Sequence, residues 1–255
     1  MEVVDFRLDG KAAVITGAAQ GLGRSMAEAL SSCGADVAVA DIQDEKAKKT
    51  AAELSDYYGN RVFAVHLNVT DRSSVERGAK EVLARFGKVD ILINNAGIVQ
   101  RKKIEDLEEE EWDLLMDINL KGVFLCSQAF GKSMIENRKG KIINMSSVVG
   151  FLGAEERISY GVSKSGVAHM TRLIASEWAK YGITANAIAP GYLLTELTAT
   201  VFGEGETGRK FLEFVPARYF GKPSVLSGLV VFLASDLSDY ITGQVIFVDG
   251  GRMLV

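Results

Sequence analysis

The chain has 255 residues, 47% of them hydrophobic and 24% charged, with a net charge of −4 at pH 7. That apolar content excludes disorder as the main state, and the charge balance leaves no cationic field to attract nucleic acid or an anionic membrane. The length fits one large domain or two small ones, and no linker, low-complexity run or short internal repeat divides it.

The N-terminal stretch lacks the basic and apolar regions of a signal peptide, and no apolar run reaches 18 residues. A cytoplasmic protein without a membrane span is the expectation. Short, nearly continuous apolar runs then follow at 12–16, 36–41, 62–67, 91–94, 141–145, 184–189 and 244–248. Such runs suit strands covered on both faces. Between them lie segments long enough for crossover helices, at about 22–33, 44–58, 72–86, 108–136, 158–181 and 223–234. This alternation predicts an α/β fold, a Rossmann-type doubly wound parallel sheet. Residues 195–215 break the rhythm, and Gly203 to Gly208 read as a mobile middle. An insertion beyond a strand's carboxyl end is well placed to be a substrate lid, or it is a frayed surface loop.

Cys33 and Cys126 are far apart in apolar surroundings, which points to buried thiols in a reducing compartment. No Cys/His cluster suggests a metal. His66, near a strand end, and His169, inside an apolar helix, read as structural residues, so a Ser/His/Asp hydrolase is a poor fit.

The chemistry-bearing motifs fall at strand ends. Strand 12–16 runs into Gly17-Ala18-Ala19-Gln20-Gly21-Leu22-Gly23 and then a helix. Glycines at such a turn let the backbone approach a pyrophosphate at the helix N-terminus. Asp41 ends the second strand, 24 residues after Gly17. Its carboxylate can accept from adenosine ribose hydroxyls and repel a 2′-phosphate, or it is a helix cap in competition with Asp44. Gln20 stands where an Arg could have neutralised that phosphate. Asn94-Asn95-Ala96-Gly97 follows the fourth strand. Asn119 lies inside a helical pattern, where a solvent-facing side chain is the plain alternative. Tyr160 and Lys164 are one helical turn apart. An ammonium near a phenol favours the phenolate, so the pair could shuttle a proton to or from an alcohol. Ser147, with Ser146 as competitor, lies 13 residues before Tyr160 and could hydrogen-bond the reacting oxygen. Pro190-Gly191 ends the sixth strand.

Taken in this order, Thr16-Gly17-x3-Gly21-x-Gly23, Asn94-Asn95-Ala96-Gly97, Asn119, Ser147, Tyr160-x3-Lys164 and Pro190-Gly191-x3-Thr195 resemble the short-chain dehydrogenase/reductase family over nearly the whole chain. The resemblance implies one domain spanning 1–255, a seven-stranded parallel sheet and a homotetramer. The helix at 158–181 and the run Gly228 to Ala234 are the segments compatible with subunit contacts. It implies Tyr160 as general acid/base and Ser147 as the residue holding the carbonyl oxygen. Lys164 would lower the Tyr160 pKa and bind the nicotinamide ribose, and Asn119 would anchor a water in a proton relay. Gly17, Gln20, Gly21, Leu22 and Gly23 would wrap the pyrophosphate. Asp41 and Ile42 would hold the adenosine ribose, which favours NAD over NADP. Asn68 and Val69 would flank adenine. Asn95, Ala96 and Gly97 would line the cleft, with Pro190, Gly191, Leu193 and Thr195 at the nicotinamide end. The family usually has Asp where this chain has Asn68. An amide oxygen can still accept from the adenine amino group, so little loss is expected.

Within the family, Glu177-Trp178-Ala179-Lys180, Ala187-Ile188-Ala189-Pro190-Gly191-Tyr192 and Thr195-Glu196 resemble gluconate 5-dehydrogenases and 2-deoxy-gluconate 3-dehydrogenases. A sugar-acid carboxylate calls for an Arg near the cleft. Arg101 and Arg157 are the candidates, the alternative being surface arginines near Glu155 and Glu156. Tyr192 and Glu196 could bind sugar hydroxyls or pack the lid. The runner-up is a 3-oxoacyl-carrier-protein reductase, which commonly uses NADPH and would need a basic docking face. Arg101-Lys102-Lys103 is the one candidate for that face, and acids follow it. A non-catalytic dinucleotide-binding regulator is disfavoured by the intact Ser147, Tyr160, Lys164 and Asn119.

Overall fold

The computed structural model describes residues 4–195, 198 and 205–255. Its strands are β1 (Ala12–Thr16), β2 (Asp36–Asp41), β3 (Val62–His66), β4 (Ile91–Asn94), β5 (Gly140–Met145), β6 (Ile183–Pro190) and β7 (Val245–Val248). All pair in parallel, in the order β3-β2-β1-β4-β5-β6-β7. Each predicted strand is present, with ends that move by no more than one residue. The chain winds outward from β1 to β3, then restarts on the other side of β1 at β4. A doubly wound sheet opens a crevice at the carboxyl ends of its strands where the order reverses.

Alternate positions on each strand feed two cores. Ala13 and Ile15 of β1 face one side, with Met26 and Leu30 of α1 (Gly21–Ser32), Ala51 of α2 (Asp44–Tyr58) and Val230 of the last long helix. Val14 faces the other, with Val75 of α3 (Arg72–Phe86) and Phe130 of α5 (Gly122–Asn137). Both faces of the sheet are thus apolar, which is why the strand sequences read as unbroken apolar runs rather than as alternation. Asp71 starts α3 as a cap, accepting from the Ser73 N–H at 2.9 Å.

The structure departs from the sequence expectation in two places. The single helix expected over 108–136 is α4 (Glu109–Met116), a π turn (Asp117–Lys121) and α5. The π turn inserts a residue into the helical repeat and carries Asn119 into the interior, where it is fully buried rather than solvent-facing. Within 195–215, the expected mobile middle is in part α7 (Glu206–Glu213), with Gly208 buried on it. Its Phe211 packs edge-to-face on Tyr192 at 5.2 Å, which ties the helix to the end of β6. Residues 199–204 lie outside the described residues, so the lid expectation is only partly placed. The run Gly228 to Ala234 falls on α8 (Ser227–Ala234), and its Val230 and Leu233 belong to the core. Gly228 on that helix is exposed, and α6 (Ile158–Trp178) leaves Val162 and Leu173 exposed.

Cys126 is buried, and burial pushes its thiol up to about 12; Cys33 is half-buried. His66 and His169 are exposed, and His66 Nδ1 lies 2.7 Å from Asp44 Oδ1. Among the described residues no helix is long and apolar enough to cross a membrane.

Candidate active site

A cleft of about 450 Å³ lies across the carboxyl ends of β1 to β6. Its floor is the glycine turn after β1. Gly17, at φ +64°, leaves no room for a side chain: a Cβ there would lie 2.8 Å from the Ala96 Cα. Gly21, at φ +60°, faces open space. Gly23 does not line the cleft; a Cβ on it would strike the Gly17 carbonyl oxygen, so it serves the packing of α1 against the turn. Gln20 lines the cleft but caps nothing; its Oε1 accepts from Lys46 Nζ at 3.0 Å. The first N–H groups of α1 are therefore left without a side-chain cap at the mouth of the turn. This is the arrangement that receives a phosphate.

Thr16 joins the two halves of the sheet. Its hydroxyl accepts from the Asn95 and Ala96 N–H groups at 3.0 and 3.1 Å. Asn95 Nδ2 donates to the Thr16 and Gly17 carbonyls at 2.9 and 3.0 Å. Asn95 thus braces the glycine turn, while Ala96 and Gly97 continue the cleft wall. Leu22 lines the cleft next to Gly21.

At the β2–β3 end stand Asp41, Ile42, Asn68 and Val69. Asp41 is buried. Its Oδ2 accepts from the Ala19 N–H and its Oδ1 from the Gln43 N–H, each at 3.0 Å. Each oxygen keeps a lone pair for a further donor. Ile42 is exposed and forms the rim. The Asn68 amide departs from expectation. Its Oδ1 accepts from both the N–H and the hydroxyl of Thr70, at 3.0 and 2.9 Å. Both lone pairs are used, so the oxygen has none left for an adenine amino group.

At the other end, Ser147, Tyr160 and Lys164 line the cleft with Pro190, Gly191, Leu193 and Thr195. The two adjacent serines divide their work. Ser146 Oγ donates to the Lys164 carbonyl at 2.8 Å, and Ser147 Oγ accepts from the Val149 N–H at 3.2 Å. Ser147 is the one in interaction range of the phenol. Burial pushes the Tyr160 pKa above its ordinary value; the Ser147 hydroxyl and the Arg157 guanidinium pull it back. Lys164 was expected to supply that pull. It is buried, its Nζ sits 5.7 Å from the Tyr160 ring centroid, and it donates to the Met145 carbonyl at 2.8 Å. Burial holds its pKa down at about 8. Asn119 lies behind the wall. Its amide makes a reciprocal pair with the Ile98 backbone, 2.8 Å to the N–H and 2.9 Å to the carbonyl, and reaches Ser163 Oγ at 3.3 Å. A Cβ on Gly97 would lie 3.1 Å from Asn119 Oδ1 and 3.5 Å from Lys164 Nζ, so these three meet at one point.

Of the substrate candidates, Arg101, Arg157 and Tyr192 do not line the cleft; Arg157 lies within electrostatic range of Arg101, Tyr160 and Tyr192. Arg157 is half-buried; burial lowers its pKa first, and the nearby Arg101 lowers it further. The phenols of Tyr160 and Tyr192 and the Glu156 carboxylate oppose that fall. Arg157 donates to the Gln100 carbonyl at 3.2 Å. Among the described residues neither Arg101 nor Arg157 is ion-paired. Glu196 lies outside the described residues. Two groups of neighbours escaped the sequence reading. Ile98, Val99 and Ile118 line the cleft, and adjacency to Gly97 and Asn119 was their one signal. Arg252, three residues from the chain's end, brings Nε to 3.4 Å from the Tyr192 hydroxyl and stacks over Phe214 at 5.2 Å.

Comparison with known proteins follows the same lines. The family model described as Enoyl-(Acyl carrier protein) reductase matches residues 17–252. NAD-dependent glycerol dehydrogenase of Listeria innocua is 39% identical over 97% of this chain and 95% of its own length. The 2-dehydro-3-deoxy-D-gluconate 5-dehydrogenase of Dickeya dadantii is 41% identical over 96% of each. The 3-oxoacyl-[acyl-carrier-protein] reductase of Thermotoga maritima is 40% identical over 98% of this chain and 100% of its own. Among solved structures, a gluconate 5-dehydrogenase from Burkholderia cenocepacia in complex with NADP and tartrate superposes with a TM-score of 0.94, at 38% identity and 98% coverage of each chain. A seven-stranded doubly wound sheet, a glycine turn at its reversal point and full-length identity near 40% to several dehydrogenases leave one assignment: the chain belongs to the short-chain dehydrogenase/reductase family, whose members are oxidoreductases acting on CH–OH groups.

Proposed function

We propose that this oxidoreductase interconverts a secondary alcohol and a ketone on a sugar acid, or a closely related sugar or polyol, with NAD(H) preferred over NADP(H). The observation that carries the substrate class is the pair Arg101 and Arg157 beside Tyr160. Burial and then the neighbouring Arg101 lower the Arg157 pKa, and among the described residues neither guanidinium is ion-paired with a carboxylate, so an anionic substrate would relieve the pair.

The cleft fits a dinucleotide. The uncapped start of α1 would receive the pyrophosphate, and the chemistry needs the nicotinamide end beside Tyr160 and Lys164. The adenosine end then falls over Asp41, with its base toward Asn68 and Val69. When bound, the dinucleotide supplies the two-electron acceptor or donor. Asp41 favours NAD because its carboxylate can accept from two ribose hydroxyls and repels a 2′-phosphate. Tyr160 takes the alcohol proton in oxidation and returns it in reduction. Ser147 hydrogen-bonds the same oxygen and holds it against the phenol. Lys164 has two N–H groups beyond its Met145 bond, and these would hold ribose hydroxyls. Asn119 keeps the Ile98 segment against the Lys164 side of the cleft. Exposed Val162 and Leu173 on α6 fit a subunit contact of a homotetramer, and the buried Cys126 thiol fits a reducing cytoplasm.

A 3-oxoacyl-carrier-protein reductase is the second reading, because such enzymes are among the relatives. Its acidic protein partner would need a cationic face. Lys102 is already paired with Glu111 at 2.6 Å, and Glu105, Asp106, Glu108, Glu109 and Glu110 are exposed beside it. Steady-state assays of the purified protein with NAD and NADP separate the two. The panel is gluconate, 2-deoxygluconate, plain polyols and, in reverse, a 3-oxoacyl thioester. NAD-linked oxidation of a sugar acid is the expected result. NADPH-linked reduction of the thioester, with no sugar-acid activity, would overturn it.

A further inference from the structure

Asn68 is held at every polar atom but one. Its N–H donates to Ser74 Oγ at 3.0 Å, and its carbonyl accepts from the Asp71 N–H at 3.2 Å. Its Oδ1 accepts from the N–H and hydroxyl of Thr70. The amide orientation is forced. Turning it over would set Nδ2 against the Thr70 N–H, donor against donor. Nδ2 therefore remains, with two hydrogens and no partner among the described residues, on a half-buried side chain that lines the cleft.

We infer that Asn68 makes this end of the cleft a hydrogen-bond donor toward the cofactor's base, so that it favours an acceptor at C6 of the purine over the adenine amino group. The inference rests on the dinucleotide reading above, which puts the base at the β3 end. A carboxylate at this position would satisfy Thr70 with one oxygen and offer the other to the amino group. The carboxamide has no second oxygen to offer. Adenine carries an N–H₂ donor at C6, and hypoxanthine carries a carbonyl acceptor there. The donor on Asn68 suits the second group and opposes the first, so the residue weakens the discrimination in favour of adenine.

The test compares NAD with nicotinamide hypoxanthine dinucleotide. Dissociation constants of both are measured by calorimetry on the native protein and on Asn68→Asp. The ratio of the two constants cancels the general effect of the added charge. Asn68→Asp is expected to shift that ratio toward NAD by about tenfold, one gained and one lost hydrogen bond at roughly 1 kcal/mol or less each. If Asn68→Asp proves unstable by thermal melting, Asn68→Ala removes the donor without supplying an acceptor to the base, at the cost of the two Thr70 bonds, and should shift the ratio the same way by a smaller factor. An unchanged ratio in a folded variant would overturn the inference while leaving the dinucleotide site intact. Failure of the native protein to bind either compound would instead overturn the dinucleotide reading, and this inference with it.

Discussion

Lys164 donates to the Met145 carbonyl at 2.8 Å, and among the described residues no carboxylate is ion-paired with it. A buried ammonium with one neutral partner is costly, and burial brings its pKa from 10.5 down to about 8. The unfolded chain keeps the proton up to the ordinary lysine range. Between about 8 and 10.5 the unfolded state binds more protons, so stability rises with pH across that window. Below it the full cost is present, on the order of 3 kcal/mol. Lys164→Met removes that cost and leaves the Met145 carbonyl without its donor, at about 1 kcal/mol. The variant should be inactive yet more stable than the native protein at pH 7, with the difference shrinking by pH 10. Urea melts at the two pH values check this, and a gap that does not change with pH would refute it.

A phenol keeps its proton near neutral pH, and burial raises the Tyr160 pKa further. Tyr160 is then ready to donate to a ketone and unready to accept from an alcohol. Alcohol oxidation should accelerate as pH rises, and ketone reduction should slow. Arg157 pulls the phenol down, so Arg157→Ala should move the rising limb of the oxidation profile to higher pH. Arg157→Lys should restore it in part. Tyr160→Phe should cost about 10²-fold or more in kcat while leaving dinucleotide binding within a few-fold. The readouts are pH profiles of kcat/KM and a direct binding titration. Retained turnover in Tyr160→Phe would reject the assignment.

Most of the fold was legible because each strand is covered on both faces and reads as a short apolar run bounded by a motif residue. Gly17 and Asp41 sit where β1 and β2 end, and their positions relative to those ends carried the reading. What escaped depends on contacts distant in sequence or on a local change of helical repeat. A 3.6-residue period cannot reveal the π turn that buries Asn119. The direction of the Asn68 amide is set by Thr70, a neighbour that carries no motif. Arg252 meets Tyr192 only because β7 ends beside β6. The Lys164 bond to the Met145 carbonyl escaped too: helical spacing places Lys164 one turn from Tyr160 and says nothing of a carbonyl at the end of β5.

Arg101 and Arg157 give a prediction about substrate charge. If they hold a carboxylate, Arg157→Ala should raise KM for a sugar acid by about 10-fold to 100-fold, the range for a charge-assisted hydrogen bond of 1.5–3 kcal/mol. KM for a neutral polyol should move little. Arg101→Ala should act the same way more weakly, because Arg101 is the more exposed of the two. It also removes a repulsion, so the Arg157 pKa should rise. Equal losses on charged and neutral substrates would assign both residues to the structure of the cleft mouth instead.

Coenzyme preference turns on Asp41, and the surroundings predict two separable effects. The carboxylate accepts from the buried Ala19 N–H, so Asp41→Ala leaves that donor unpaired and should destabilise the protein by about 1–3 kcal/mol. It also removes the charge that repels a 2′-phosphate. Lys46, on an exposed side chain, donates to Gln20 Oε1 and so brings a cation to a residue that lines the cleft. Asp41→Ala should lower kcat/KM with NAD and raise it with NADP, changing their ratio by tenfold or more. Adding Lys46→Gln should return part of the NADP gain without touching NAD. Kinetics with both coenzymes, run below the melting transition of each variant, separate the stability loss from the change in preference. Unaltered discrimination in folded Asp41→Ala would remove Asp41 from the ribose site and leave it only its work of bracing the glycine turn.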